Sequence, residues 1–151
     1  MMTRNVDSIR QLLIRDLSSL ENEIRSYENE SDLWRLSGDI KNTAGNLALH
    51  ICGNLQHFVG ATIGQDGYVR QRDLEFSSKN VPASDLINEI KATKSAVENA
   101  LDKLSDDDLN NTYPLEVFGK PMTFSYFLIH LSGHLMYHLG QINYHRRLLA
   151  S

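Results

Sequence analysis

The chain is poor in the residues that staple or interrupt structure. It has one cysteine, Cys52, so no disulfide can form within it. A lone thiol and no export signal are the pattern of a reducing cytoplasm. Only 3 prolines and 9 glycines punctuate 151 residues, which points to long elements, few turns and a helical protein. No apolar run reaches the roughly 18–20 residues of a membrane span, and mean hydropathy is −0.35. The start, MMTRNVDSIRQLLIRDL, lacks the apolar block and small-residue cleavage site of a secretory signal. A basic stripe is also missing: 15 Lys and Arg face 19 Asp and Glu, for a net charge of −4. Arg146–Arg147 is a short pair that complements a helix C-terminus, so neither nucleic acid nor a membrane is expected as a partner.

What remains is an ordinary globular composition, 41% hydrophobic and 23% charged, in a length that suits one domain over residues 1–151. Four amphipathic stretches stand out. The first runs from about Asn5 to Tyr27, with Ile9, Leu12, Leu13, Leu17, Leu20 and Ile24 on one face and Asp16 as its polar exception. Glu28 to Gly38 reads as a connection in which Trp34 folds back on the bundle. The second helix starts at Lys41 or Thr43 and reaches Ile63, where Gly64 to Gly67 stop it. YVRQRDLEFSSKNVP reads as a long connection, and Pro82 opens a third helix over Ala83 to Leu104. Ser105 to Asn111 turns, and TYPLEVFGKPMTF suits a short hairpin or extended arm. Thr123 caps the last helix, Phe124 to Leu149. The expected fold is all-α: a four-helix bundle whose long connections, 64–82 and 105–122, serve as crossovers. The apolar, aromatic-rich segment Tyr113–Phe127 is expected to offer exposed surface to a second copy in a homodimer.

The chemistry concentrates in six histidines. His130, His134, His138 and His145 follow at spacings of 4, 4 and 7 on the last helix, on one stripe with Gln141. Asn46, His50, Asn54 and His57 form a second polar stripe beside the apolar face of the second helix. Buried polar groups cost about 1–3 kcal/mol each when unpaired, so two such stripes need a reason. A metal between the two helices would satisfy several groups at once. Residues eight apart on a helix are roughly 12 Å apart along its axis, so His130 and His138 cannot share an ion held at about 2 Å. The pair is His130–His134 or His134–His138, with His50 as the third ligand. Three imidazoles leave open positions, the pattern of a catalytic site. His57 and His145 are expected nearer the helix ends, beside the site or exposed. Cys52 points away from His50 and reads as a core thiol. Tyr137 is either core or a hydrogen-bond donor to the site. Arg70 and Arg72 could hold an anionic group, and Asp73 and Glu75 could pair with them or act as acid and base, but a solvated charged loop is the simpler expectation for all four.

At this point a resemblance enters. HLSGHLMYHLGQINYHRRLL resembles the last-helix signature of the DinB/YfiT-like superfamily, an H-x-x-x-H-x-G-Q pattern. NLALHICGNLQHF resembles the helix that brings that family's first histidine, and RQRDLEF a stretch that follows it in one branch. The resemblance implies a bundle with long crossovers, often dimeric, and a divalent metal on three histidines. It places the metal on His50, His134 and His138, because Gly140-Gln141 follow His138 as the family's Gly-Gln follows its second ligand. His130 then lies one turn before the site and Gln141 one turn beyond. With Asn54 and Arg72 they are candidates for the layer around the ligands or for substrate contact. Zinc or nickel suits the ligand set best, and iron is compatible. Family members include bacillithiol transferases and a mycothiol-dependent isomerase, while others are described only as metal-dependent hydrolases. The expected activity is accordingly transfer of a low-molecular-weight thiol to an electrophile, with hydrolysis or a non-catalytic binding role as alternatives.

Overall fold

The computed structural model describes residues 4–150, which form five α-helices: α1 (Asn5–Arg25), α2 (Ala44–Leu55), α3 (Arg72–Ser77), α4 (Ala83–Leu101) and α5 (Phe124–Leu149). The four long ones make the expected bundle. Thr43 and Thr123 start α2 and α5 by accepting the backbone N–H of Asn46 and Tyr126 through their hydroxyls. On α1 the residues Leu13, Leu17, Leu20 and Ile24 are fully buried. The polar exception Asp16 is buried too, paired with Arg15 at 3.0 Å. Among the described residues no helix is long and apolar enough to cross a membrane.

The topology corrects the expected crossovers. α1 packs on α4 and α5, and α2 also packs on α4 and α5, so α1 and α2 stand at opposite corners, as do α4 and α5. The chain therefore crosses the bundle between residues 26 and 43 and again between 102 and 123. Segment 62–82 instead joins neighbours. Its length is needed because it carries α3, which packs against α2 and was expected to be irregular. The expected α-helix up to Ile63 also changes character. After Leu55 it widens to a π-helix over Gln56–Ala61, and a left-handed residue follows at Gln65, φ 52°. Such widened turns are frequent at functional sites.

The segment expected as a hairpin has no named strand. A single antiparallel bridge, Thr112 to Thr123, closes a loop whose tip turns at Gly119, φ 77°. Of the segment expected to face a partner, Leu115, Val117, Phe118 and Tyr126 are exposed, but Tyr113 and Phe127 are each 1% exposed. Tyr113 enters the core, where its hydroxyl donates to the Phe58 carbonyl and its ring meets Phe124 and Phe127. Trp34 folds back as expected, against the face of α2 at Gly45, where a Cβ would lie 2.6 Å from its ring. His145 departs from expectation: it is 5% exposed and closes a buried network. Its Nε2 lies 2.9 Å from the Arg35 carbonyl, which can only accept, so Nδ1 accepts the Tyr27 hydroxyl at 2.6 Å. Burial raises the Tyr27 hydroxyl pKa well above the ordinary phenol value.

The core makes a direct prediction. Leu17→Ala, at a fully buried position, lowers unfolding free energy by about 2–5 kcal/mol. Leu12→Ala, 41% exposed on the same helix, costs less than about 0.5 kcal/mol. Urea titrations of the two variants check the difference.

Candidate metal centre

α2 and α5 run antiparallel as neighbours, and this brings His50 to His134 and His138. His50 Nε2 is 3.2 Å from His134 Nε2, and His138 Nε2 is 3.1 Å from the same atom. Each of the three residues offers one ring nitrogen, and these nitrogens all lie within 4.8 Å of one another. Three nitrogens bound at about 2.0–2.1 Å to a tetrahedral ion would sit about 3.3 Å apart. The spacing of the side chains therefore fits a divalent cation.

The protonation of the rings fits it as well. His138 Nδ1 lies 2.7 Å from Gln141 Oε1, and His50 Nδ1 lies 3.1 Å from Glu75 Oε1. Both oxygens only accept; Arg70 Nη2, a donor, also approaches His50 Nδ1 but at 3.4 Å, and the nearer carboxylate decides, so each Nδ1 carries the proton and each Nε2 presents a lone pair. His134 stays neutral: burial first, then the charges of His138, His50, His130 and Arg70, push its pKa down to about 4. Burial also lowers His138, more than the Gln141 hydrogen bond raises it. The lone pairs of His50 and His138 both face His134 Nε2, and a cation held between the three rings would accept them. One further atom awaits a partner: Asn54 Oδ1, one turn beyond His50, is buried with no hydrogen bond, as a group facing a missing donor would be.

Glu75 is the residue that sequence reasoning placed wrongly. It was expected in a solvated loop, yet it is 6% exposed. Arg70 grips it with two bonds of 2.9 Å. Burial pulls its pKa up, but hydrogen bonds from His50 and Arg70 and the Arg70 charge outweigh this and hold the carboxyl below its ordinary value. The signal that could have found it is Gly53, a glycine inside an apolar helix, where a Cβ would lie 1.9 Å from Glu75 Oε2. Asn46 explains the rest of the polar stripe on α2. It is a clamp, with its Nδ2 donating to the carbonyls of Glu75 and Ser78 and tying the α3 segment down.

The other candidates distribute around a cavity of about 320 Å³ on one side of the triad, lined by His50, Asn54, Arg70, Arg72, His130 and His134 with an aromatic wall of Phe58, Phe118 and Phe127. His130 is exposed, and its ring centroid is 6.3 Å from that of His134 and 4.8 Å from Phe118. Arg72 is exposed and lies over the Phe76 ring at 5.2 Å. Asp73 is exposed, as expected of a loop charge. His57 packs against Phe58. Tyr137 is 65% exposed, so it is not core; its ring lies 5.3 Å from that of His138. Cys52 is 2% exposed, and burial pushes its thiol pKa to about 12, which makes it inert.

A helical bundle with three imidazoles converging between two of its helices defines the class of protein. The DinB superfamily profile matches residues 5–142, and the chain belongs to that superfamily. Two solved structures share the fold. A DinB-like protein from Bacillus cereus ATCC 10987 superposes with a TM-score of 0.75 at 22% identity, over 97% of this chain and 93% of that one. A conserved protein from Enterococcus faecalis gives 0.72 at 13% identity, over 98% of each chain. No curated protein matches the chain.

The lowered histidine pKa values set a pH dependence for the metal-free protein. His134 binds its proton near pH 4 when folded and near pH 6.5 when unfolded. Between those values the unfolded chain holds more protons, so stability falls as pH drops from about 6.5 toward 4. Urea midpoints at pH 7, 6 and 5 in the presence of chelator should decline in that order. His134→Gln should flatten the decline.

Proposed function

We propose that this protein is a divalent-metal-dependent S-transferase that joins a low-molecular-weight thiol to an electrophile. His50, His134 and His138 hold the cation in this reading. A cation held there supplies Lewis acidity and lowers the pKa of a coordinated thiol from about 8.5. The observation that carries the choice of a thiol over water is the commitment of Glu75. It is the one carboxylate at the centre, and it is bound on both oxygens by Arg70 and on one by His50. Glu75 is thus not free to act as the carboxylate base of a hydrolysis, whereas a thiol, the stronger acid, needs only a weak acceptor for its proton. The cavity supports the same reading. Phe58, Phe118 and Phe127 give it an apolar wall, and Arg72 and His130 also line it, the first to hold an anionic group of either substrate and the second to receive the thiol proton in this reading.

His134→Ala should abolish tight metal binding, measured by metal analysis of untagged protein after dialysis. His130→Ala should keep the metal and lose turnover. In the cobalt-substituted protein, a cognate thiol should produce a sulfur-to-metal charge-transfer band that Arg72→Ala weakens in apparent affinity. Absence of a band with bacillithiol, glutathione and cysteine would favour hydrolysis or a non-catalytic role.

We further propose a homodimer formed through the outer face of α5. Tyr126, Ile129, Met136, Tyr137, Tyr144 and Leu148 are each at least half exposed, and between Phe124 and His145 the helix carries no Asp, Glu, Lys or Arg. The stripe is nearly symmetric about Met136 and Tyr137. Gly133 and Gly140, each with open space at its Cβ, flank this centre equally. A two-fold axis there would set glycine against glycine and let the helices approach closely, as an isologous contact requires. Sedimentation at micromolar concentration should give a dimer. Tyr144→Glu should give a folded monomer, and Met136→Cys should cross-link on oxidation while Leu74→Cys does not.

A further inference from the structure

We propose that Glu75 is the positioning residue of the metal centre, setting the tautomer of His50 rather than touching metal or substrate. The proposal rests on the reading of His50, His134 and His138 as ligands. In water the Nε2–H form of a neutral histidine is the more populated one, and that form would turn a proton, not a lone pair, toward His134. Glu75 Oε1 at 3.1 Å from His50 Nδ1 reverses the preference by accepting the Nδ1 proton. Gln141 does the same for His138 from within its own helix. Asn54, the amide one turn on along α2, makes no bond to His50, so the acceptor that His50 has comes from another element.

The segment after α2 is organised around this contact. Arg70 binds Glu75 through Nε and Nη2, and the fork fixes the plane of the carboxylate. Asn46 clamps the Glu75 carbonyl at 3.0 Å, so the backbone of α3 cannot drift along α2. The Phe76 ring sits 4.9 Å from the His50 ring and limits its rotation. Gly53 provides the space, since a methyl group there would lie 2.5 Å from the Glu75 carboxyl carbon. A six-residue helix has little stability of its own. What orders α3 is its set of contacts on α2, several of which end at Glu75.

The test uses metal affinity and the state of the His50 ring. Glu75→Ala should weaken zinc binding about 10–100-fold, measured by competition with a chromophoric chelator. Asp73→Ala, in the same helix and exposed, should leave it unchanged. Gly53→Ala should weaken zinc binding as Glu75→Ala does. Alanine favours a helix interior over glycine, so lost helix propensity would not account for that result. In the metal-free protein, imidazole 15N chemical shifts should report His50 protonated on Nδ1, and Glu75→Ala should move it toward the Nε2–H form. Wild-type affinity in Glu75→Ala, or an unchanged His50 tautomer, would overturn the proposal. Wild-type protein that binds no zinc would defeat the ligand reading instead, and the nitrogen shifts would still decide the role of Glu75.

Discussion

Three imidazole nitrogens converging on one point are the arrangement that most of what is particular about this structure serves to maintain. The nitrogens lie 3.1 and 3.2 Å apart in two of the three pairs. To hold them there, α2 and α5 must be neighbours, His134 must be kept neutral by burial, and the protons of His50 and His138 must be drawn to the far side of each ring. Gln141 and Glu75 do the last of these. The first is the work of the two diagonal crossovers, which put α1 and α4, rather than α1 and α2, side by side.

The polar residues of α2 form a chain of dependencies. Thr43 caps the helix and donates to Asn46; Asn46 ties down the backbone of α3; α3 presents Glu75; and Glu75 meets His50. A buried polar side chain is costly when unpaired, and here each except Asn54 has a partner. The partners of Asn46 and His50 come from α3, so the placing of that short helix and the placing of the His50 ring rest on the same contacts. Arg70 belongs to the same chain of contacts while also lining the cavity, which brings the support of the metal centre within reach of whatever occupies that cavity.

Much of the fold was legible from local pattern. The face of α1, the cap at Thr123 and the return of Trp34 follow from spacing and side-chain chemistry, because those effects act within a few residues; that Thr43 caps α2 was left open against a start at Lys41. The axial distance along a helix bars His130 and His138 from sharing an ion, but it left two pairs open. Only the Gly140-Gln141 resemblance preferred His138, whose ring lies 5.2 Å from that of His50. The short helix at Arg72–Ser77 was not legible, since six residues carry too few periods to show a face. His145 was misplaced for a related reason. It lies near a helix end, where exposure is the usual outcome, and nothing local says that Tyr27 and the Arg35 carbonyl will close over it.

The sequence by itself determined that the chain is helical, where its long helices begin, and that its chemistry belongs to histidines at helical spacing on two helices. Those are properties of neighbours in the chain, governed by backbone hydrogen bonds and a period of 3.6 residues. Tertiary structure alone decided which helices are adjacent, that Glu75 leaves its charged loop for a buried place beside His50, and that Tyr113 fills the core instead of facing a partner. Each of these turns on contacts between residues far apart in sequence, where the gain from pairing or burying a group outweighs its local preference for water.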